Sequence, residues 1–320
     1  MTTPPTAATR VAICVCTHSR PDSLSRLLQV LQNIRLDGYH ADDIELLVID
    51  NRPSEQTRTI CNNAAPLLPI RLHYTPEPEP GITHARNRAV TTALARGADF
   101  VAFIDDDDEP QTDWLIQLLD RQRETRADLV FGTWVLDTDM PDWARDSGIF
   151  RSPTKTKQEK KGGRYGLPDC ASTCNMLAGR RILEHVGATG PVFCHAFRYS
   201  GGEDKDFFIR AHALGATLAS ADSSIIHRNH EPERYTARGL LKRGFKNGCS
   251  QVSMARYHGD SSRRIKLVST ALVKFVISLF ILPFSIFSRA YFMHSLYRIA
   301  KACGVLYTTV TGRSINYYSR

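Results

Sequence analysis

Short apolar runs alternate with stretches of helical periodicity through the first half of this chain, and that alternation leaves few architectures open. Val11-Ala12-Ile13-Cys14-Val15-Cys16 reads as a buried strand, and Pro21 then opens a segment whose Leu24, Leu27, Leu28 and Leu31 fall at i, i+3, i+4 and i+7. Ile44 to Asp50 and Ile70 to Tyr74 are further strands. A loop rich in proline (Pro76, Pro78, Pro80) leads to a helix through Arg86 and Leu94, and then to the strand Phe100 to Ile104. A helix over Trp114 to Arg123 and a strand over Asp128 to Leu136 continue the series. Strands and helices in this order imply an α/β fold, a mostly parallel sheet with helices on both faces.

In open sheets of that kind, ligands bind beyond the carboxyl ends of the strands. At one such end stand four consecutive acids, Asp105, Asp106, Asp107 and Asp108, directly after Val101-Ala102-Phe103-Ile104. Like charges packed together raise one another's pKa and are costly unless a cation or a positive ligand shares the site. Hard divalent ions take oxygen ligands of this type. A solvated acidic turn is the plainer reading of an acidic run, and the buried strand before this one argues against it.

The 320 residues carry a formal charge of +8, but the charge is unevenly divided. Residues 231–320 hold 15 of the 41 Lys and Arg against 3 of the 33 Asp and Glu, a local +12, which leaves −4 on residues 1–230. Such asymmetry points to an anionic partner, nucleic acid or a membrane surface. The basic segment lacks the regular aromatic interleaving of a nucleic-acid groove, so no nucleic-acid partner is expected. Within it, Val268 to Phe287 is apolar apart from Lys274 and interrupted by Pro283, which is just spanning length. Arg263, Arg264 and Lys266 precede it and Arg289, Arg298 and Lys301 follow, so positive-inside reasoning gives no orientation. Spanning, dipping into the membrane and packing in a soluble core all stay open, with interfacial helices the better fit.

The first ten residues are polar and expected to be disordered, with no secretory signal, which implies a body that stays in the cytosol. Eight scattered cysteines do not form the framework of a small secreted domain. Cys170-x3-Cys174 with Cys194-His195 matches no usual zinc spacing. Residues 151–166, rich in Lys and Gly, read as a mobile loop that is either a lid or an ordinary insertion.

Five motifs in order, Cys16-Thr17-His18-Ser19-Arg20-Pro21, Val48-Ile49-Asp50-Asn51, Gly81-x3-Ala85-Arg86-Asn87, Phe103-Ile104-Asp105-Asp106-Asp107 and Gly202-Glu203-Asp204, resemble the family 2 inverting glycosyltransferases of GT-A fold. Segments around Asp169 to Asn175, Gly201 to Phe208 and His227 to Gly248 look most like bacterial succinoglycan-type exopolysaccharide glucosyltransferases. The resemblance implies a GT-A domain over 11–248 and a helical, membrane-associating extension over 249–320. It implies that Thr17, Ser19 and Arg20 border the nucleotide, that Asp50 accepts from the uracil imide, and that Arg86 meets base or phosphate. In the Asp-x-Asp signature, Asp106 faces the ribose beside Asp105, and Asp107 holds Mn²⁺ or Mg²⁺. Asp108 is an extra acid, so the ligand could be displaced by one position. Asp204 matches the catalytic base, with Glu203 orienting it or touching the acceptor, although helix capping alone would also account for this pair. His227 completes the metal or diphosphate shell, with His230 a rival. Arg234, Arg243 and Lys246 would screen the diphosphate or meet the membrane.

The implied chemistry is transfer of a hexose, glucose or similar, from a UDP-sugar to a lipid-linked saccharide at the cytoplasmic face of the bacterial inner membrane. The absence of a Gln-x-x-Arg-Trp motif and of several long spans separates the chain from processive synthases, so one sugar per encounter is expected. A sugar nucleotidyltransferase and a non-catalytic saccharide or nucleic-acid binder on a degenerate transferase fold are the alternatives. The first lacks a Gly-rich phosphate loop, and intact Asp106, Asp107 and Asp204 argue against the second.

Overall fold

The computed structural model describes residues 9–136, 140–150, 171–228 and 232–313. The first eight residues, the loop expected at 151–166, Cys170 and His230 lie outside these. Two compact units result: one of residues 1–135, 152–198 and 203–229, and a second of residues 136–151, 199–202 and 230–320.

The first unit is built on β1 (Val11–Thr17), α1 (Pro21–Leu31), β2 (Ile44–Asp50), α2 (Glu55–Ala64), β3 (Arg71–Pro76), α3 (Ile82–Ala95) and β4 (Phe100–Asp105). It continues through β5 (Asp108–Pro110), α4 (Trp114–Thr125) and β6 (Leu129–Leu136). Because α5 (Asp142–Asp146) belongs to the second unit, the next elements here are β7 (Asn175–Gly179), α6 (Arg180–Ala188), α7 (Glu203–Ala213) and β8 (Leu218–Arg228). The strands form one sheet of order β3-β2-β1-β4-β7-β6-β8-β5. Pairing is parallel from β3 to β4, as the strand and helix alternation implies, and antiparallel for β4 with β7, β7 with β6, and β8 with β5. The sheet is therefore mixed.

Alternation along the central strands sends side chains to two separate cores. Ile13, Val15, Leu46, Val48, Ala102 and Ile104 meet Leu24, Leu27 and Leu28 of α1 and Trp114, Leu115 and Leu118 of α4 on one face. Ala12, Cys14, Leu47, Ile49, Val101 and Phe103 meet α3, α6 and the Phe207-Phe208 pair of α7 on the other. Each fully buried Leu or Phe contributes about 1.5–3 kcal/mol, so both faces of the sheet are held firmly.

Parallel register brings the carboxyl ends of the strands to one edge: Thr17 lies opposite Asp50, Cys16 opposite Asp105, and Asp50 opposite Pro76. Beneath the acidic turn, a buried polar knot fixes the antiparallel half. Trp114 Nε1 donates to Asn175 Oδ1 at 2.8 Å, Asn175 Nδ2 donates to the carbonyls of Thr133 and Ser224, and Ser224 Oγ donates to Trp114 O. Gly132 leaves room for this amide, since a Cβ there would lie 2.2 Å from Asn175 Nδ2.

The second unit contains α5, α8 (Ala237–Tyr257), α9 (Ser261–Ile281) and α10 (Arg289–Thr311). The expected division at 248/249 falls inside α8, one continuous helix that packs along α10. Three glycines allow that approach. A Cβ on Gly248 would sit 2.1 Å from Lys301 O, one on Gly304 2.2 Å from Phe245 O, and one on Gly244 2.7 Å from Tyr297 O. Ser261–Phe287, with mean hydropathy 2.2, is long and apolar enough to cross a membrane, and only 11% of its apolar window is buried. Val276, Phe280, Phe284 and Phe287 are among its exposed apolar side chains. Pro283 ends α9, as a ring without an N–H should, and a 3-10 turn, Leu282–Phe287, follows.

Because the glycines on the α8–α10 crossing face backbone atoms that cannot swing aside, Gly248→Val should destabilise the second unit by about 1–3 kcal/mol. Denaturant unfolding of the variant in detergent checks this, and an unchanged midpoint would show that the crossing is looser.

Candidate active site

The acids at the end of β4 are held by three arginines from different elements. Thr17, at the end of β1 and 3% exposed, donates from Oγ1 to Asp106 Oδ2 at 2.7 Å. Arg20, just before α1, reaches Asp106 Oδ1 at 3.3 Å and Asp107 Oδ2 at 3.0 Å with one nitrogen. Between them Ser19 takes a left-handed backbone, φ +56°, which turns the chain back toward the acids.

Arg228, at the end of β8, grips Asp108 with two hydrogen bonds, 2.9 Å to Oδ1 and 2.8 Å to Oδ2, and lies 3.6 Å from Asp105 Oδ2. Its guanidinium also sits 5.4 Å from the ring centre of Trp134. Arg86, in the second turn of α3, is buried and joins two motifs that are far apart in sequence. Its Nη1 lies 2.5 Å from Glu203 Oε1 and its Nη2 3.5 Å from Asp105 Oδ1. Asp204 follows Glu203 in the first turn of α7 and is partly exposed, with Oδ1 accepting from the Lys205 N–H at 2.7 Å.

Burial sets the electrostatics. It pushes Asp106 up to about 6, with Thr17 and Arg20 pulling the other way and Asp107 and Asp105 adding to the rise. It pushes Asp108 up to about 7 against its Arg228 pairing. Burial alone would lower Arg86, but Glu203, Asp105 and Asp204 raise it above its ordinary value, so it stays charged. Ligand atoms of Asp105, Asp108 and Cys174 lie within 4.8 Å of one another. Burial pushes Cys174 up to about 12. Asp108 is 0% exposed and both its oxygens are taken, whereas the Asp107 side chain is 22% exposed and that of Asp105 40%. The accessible hard-oxygen donors of the turn are therefore Asp105 and Asp107, a set that fits Mn²⁺ or Mg²⁺.

Thr17, Ser19, Arg20, Arg86, Asp105, Asp106, Asp107, Glu203 and Asp204 all lie in the first unit, at or next to the carboxyl edge of its sheet. Two residues of the expected set sit apart from it. Asp50 is 0% exposed, and its carboxylate accepts from Arg52 N, Ser54 N and the Tyr74 hydroxyl. His227 is exposed on β8 opposite Glu109, and strand alternation turns Arg228 to the acids instead. No described contact joins His227 to them. The run Ser224, Ile226, Arg228 on one face of a strand was the signal for this arginine. Asn51 was also passed over in favour of Asp50. Its side chain donates to Glu77 O and Glu79 O and accepts from Gly81 N, which ties the proline-rich loop to the start of α3 and so positions Arg86.

The acidic strand end and the acidic start of α7 are joined by one buried arginine, and comparison with known proteins gives the class of protein that carries them. Residues 12–187 match the model of Glycosyl transferase family 2. The chain is 31% identical over 248 residues to succinoglycan biosynthesis protein ExoM of Rhizobium meliloti (strain 1021), covering 76% of this chain and 74% of that protein. Among solved structures it resembles mannosyltransferase PcManGT from Pyrobaculum calidifontis in complex with GDP-Man and Mn²⁺, with a TM-score of 0.59 at 15% identity, covering 95% of this chain and 88% of that one. It also resembles S. aureus TarS 1-349 in complex with UDP-GlcNAc, with a TM-score of 0.51 at 14% identity over 98% of this chain and 93% of that one. The match spans only 40% of the longer S. aureus TarS chain. The chain belongs to glycosyltransferase family 2, and its fold is of the GT-A kind. It is a glycosyltransferase, which displaces the nucleotidyltransferase and non-catalytic alternatives.

The raised pKa of Asp106 makes a signed prediction. Folded, it holds its proton more tightly than its ordinary value of 3.8, so the stability it lends is complete below that pH and lost as pH rises through about 6. Asp106→Asn should therefore raise Tm by a few degrees at pH 7.5 and leave it nearly unchanged at pH 4. Thermal melts at the two pH values check this, and a gain confined to pH 4 would contradict it.

Proposed function

We propose that the protein transfers a single hexose, glucose or a close relative, from a UDP-sugar to a lipid-linked saccharide in bacterial surface or exopolysaccharide synthesis, with inversion at the anomeric carbon. The observation that carries this reading is Arg86, whose guanidinium links Asp105 of the donor edge to Glu203 beside Asp204. This link supports a reading in which donor-side and acceptor-side acids are held by one group. The naming of ExoM as a succinoglycan biosynthesis protein supports the polysaccharide context. TarS with UDP-GlcNAc supports a uridine nucleotide, while PcManGT with GDP-Man makes guanosine the competitor.

In this reading Thr17, Ser19 and Arg20 line the nucleotide and Asp106 faces the ribose. Asp107, with Asp105 beside it, is the residue assigned to Mn²⁺ or Mg²⁺. When bound, the ion neutralises charge on the departing diphosphate. Arg20, already drawn to Asp106 and Asp107, and Arg228 on Asp105 and Asp108 keep the acids from repelling the nucleotide. Asp204 takes the proton of the acceptor hydroxyl as it attacks, and Glu203, held by Arg86, positions the helix start that carries Asp204. The exposed apolar side chains of α9, flanked by Arg263, Arg264, Lys266 and Arg289, support attachment to the cytoplasmic face of the inner membrane, where a lipid-linked acceptor would be found.

The purified protein, assayed with UDP-glucose, UDP-galactose, UDP-GlcNAc and GDP-mannose on membrane-extracted acceptor, tests the reading. Asp204→Asn should lower kcat by about 10²–10⁴-fold with donor affinity unchanged. Full activity in that variant would refute the base, and turnover of GDP-mannose alone would refute the uridine donor.

A further inference from the structure

Helices α8, α9 and the end of α10, all within the second unit, line a cavity of about 670 Å³. Its walls are divided by chemistry. Val252, Val268 and Leu272 make it apolar, while Arg256 and Arg264 bring two positive charges to it, and no carboxylate is among the lining residues. Hydroxyls from Ser261, Ser269 and the Thr308–Thr311 segment complete it. The volume lies within the range of ordinary ligand sites.

Among the described residues, neither arginine is paired with an acid. Arg256 Nη1 donates to Gly312 O at 3.2 Å and Arg264 Nη2 to Ser261 Oγ at 3.0 Å, both neutral oxygens. Asp260, the acid that caps α9, is turned to its own helix, accepting from Arg263 N and Ser262 Oγ at 2.9 Å each. The guanidiniums retain donors for an anion, and the fork geometry suits phosphate. A soluble sugar phosphate would leave the valine and leucine walls unmatched. The apolar walls also continue outward: Ile265 and Leu272 line the cavity and are 72% and 47% exposed, on the same helix that presents Val276 and Phe280 to its surroundings.

We propose that this cavity is a binding site for an anionic phospholipid of the bilayer, its phosphate held by Arg256 and Arg264 and the start of an acyl chain lying against Val252, Val268 and Leu272. The inference rests on the membrane attachment argued above and adds a specific lipid site to it. A lipid seated between α8, α9 and α10 would fix α9 at the interface with its charged end at headgroup level.

Native mass spectrometry of the full chain purified in mild detergent, with phosphatidylglycerol or phosphatidylcholine added back, tests the site. One phosphatidylglycerol per chain should be retained over phosphatidylcholine. The double variant Arg256→Gln/Arg264→Gln should lose that preference by about tenfold, and Ser269→Trp should fill the cavity and expel the lipid. Lys274→Gln, on α9 outside the cavity, should change neither. Sugar transfer to detergent-solubilised acceptor, measured on the same preparations, separates the two claims: lost lipid with intact transfer leaves the enzyme reading standing. The site is overturned if the cavity variants retain lipid like wild type, if Lys274→Gln matches the double variant, or if inorganic phosphate displaces the lipid as well as short-chain phosphatidylglycerol does.

Discussion

Four carboxylates at the end of one buried strand can be folded only if something positive meets them, and three arginines do so from three directions. Arg20 comes from the loop after β1, Arg86 from α3 and Arg228 from the end of β8. The cost of burying charge remains visible in the raised pKa values of Asp106 and Asp108. Perturbed carboxylates gathered at one strand end are a common mark of a functional site.

The arginines also explain why the rest of the first unit is built as it is. Arg228 faces Asp108 across the β5–β8 pair, and the Trp114-Asn175-Ser224 knot ties β8 to its neighbours. Asn51 ties the loop before α3, the helix that carries Arg86. The polar groups buried beneath the site are therefore alignment devices, and each is satisfied by named partners. The sheet is parallel where the carboxyl ends of β1, β2 and β4 meet at one edge and antiparallel where β5 and β8 bring Asp108 and Arg228 together.

Much of this was legible in the amino-acid sequence. The strands β1 to β4, helix α1 and the acidic strand end followed from apolar periodicity, because each element is buried on faces that its own residues mark. The five spaced motifs located the edge. What was missed had no local signal or a misleading one. β5 is three residues long and includes Asp108, so it read as part of an acidic turn, and β7 is buried by neighbours distant in sequence. Asp50 stands at the strand end the motifs marked, but no local signal showed that its oxygens also accept from the turn that follows it. His227 drew notice as a ligand type, although a period-two reading of β8 would have pointed to Arg228. The helical unit was expected to begin at 249 because the family resemblance ends near Gly248, while the packing of α8 against α10 depends on glycines that the motifs do not register.

The central claim is that these acids, Asp107 above all, hold a divalent ion against a nucleotide diphosphate. Calorimetric titration of UDP into the full-length protein, with Mn²⁺ and then with EDTA, measures this directly. If the claim is right, Mn²⁺ tightens UDP binding by about tenfold or more in the wild type, and Asp107→Asn removes the gain while melting normally. UDP affinity that is equal in EDTA, or an ion dependence that survives Asp107→Asn, would contradict it.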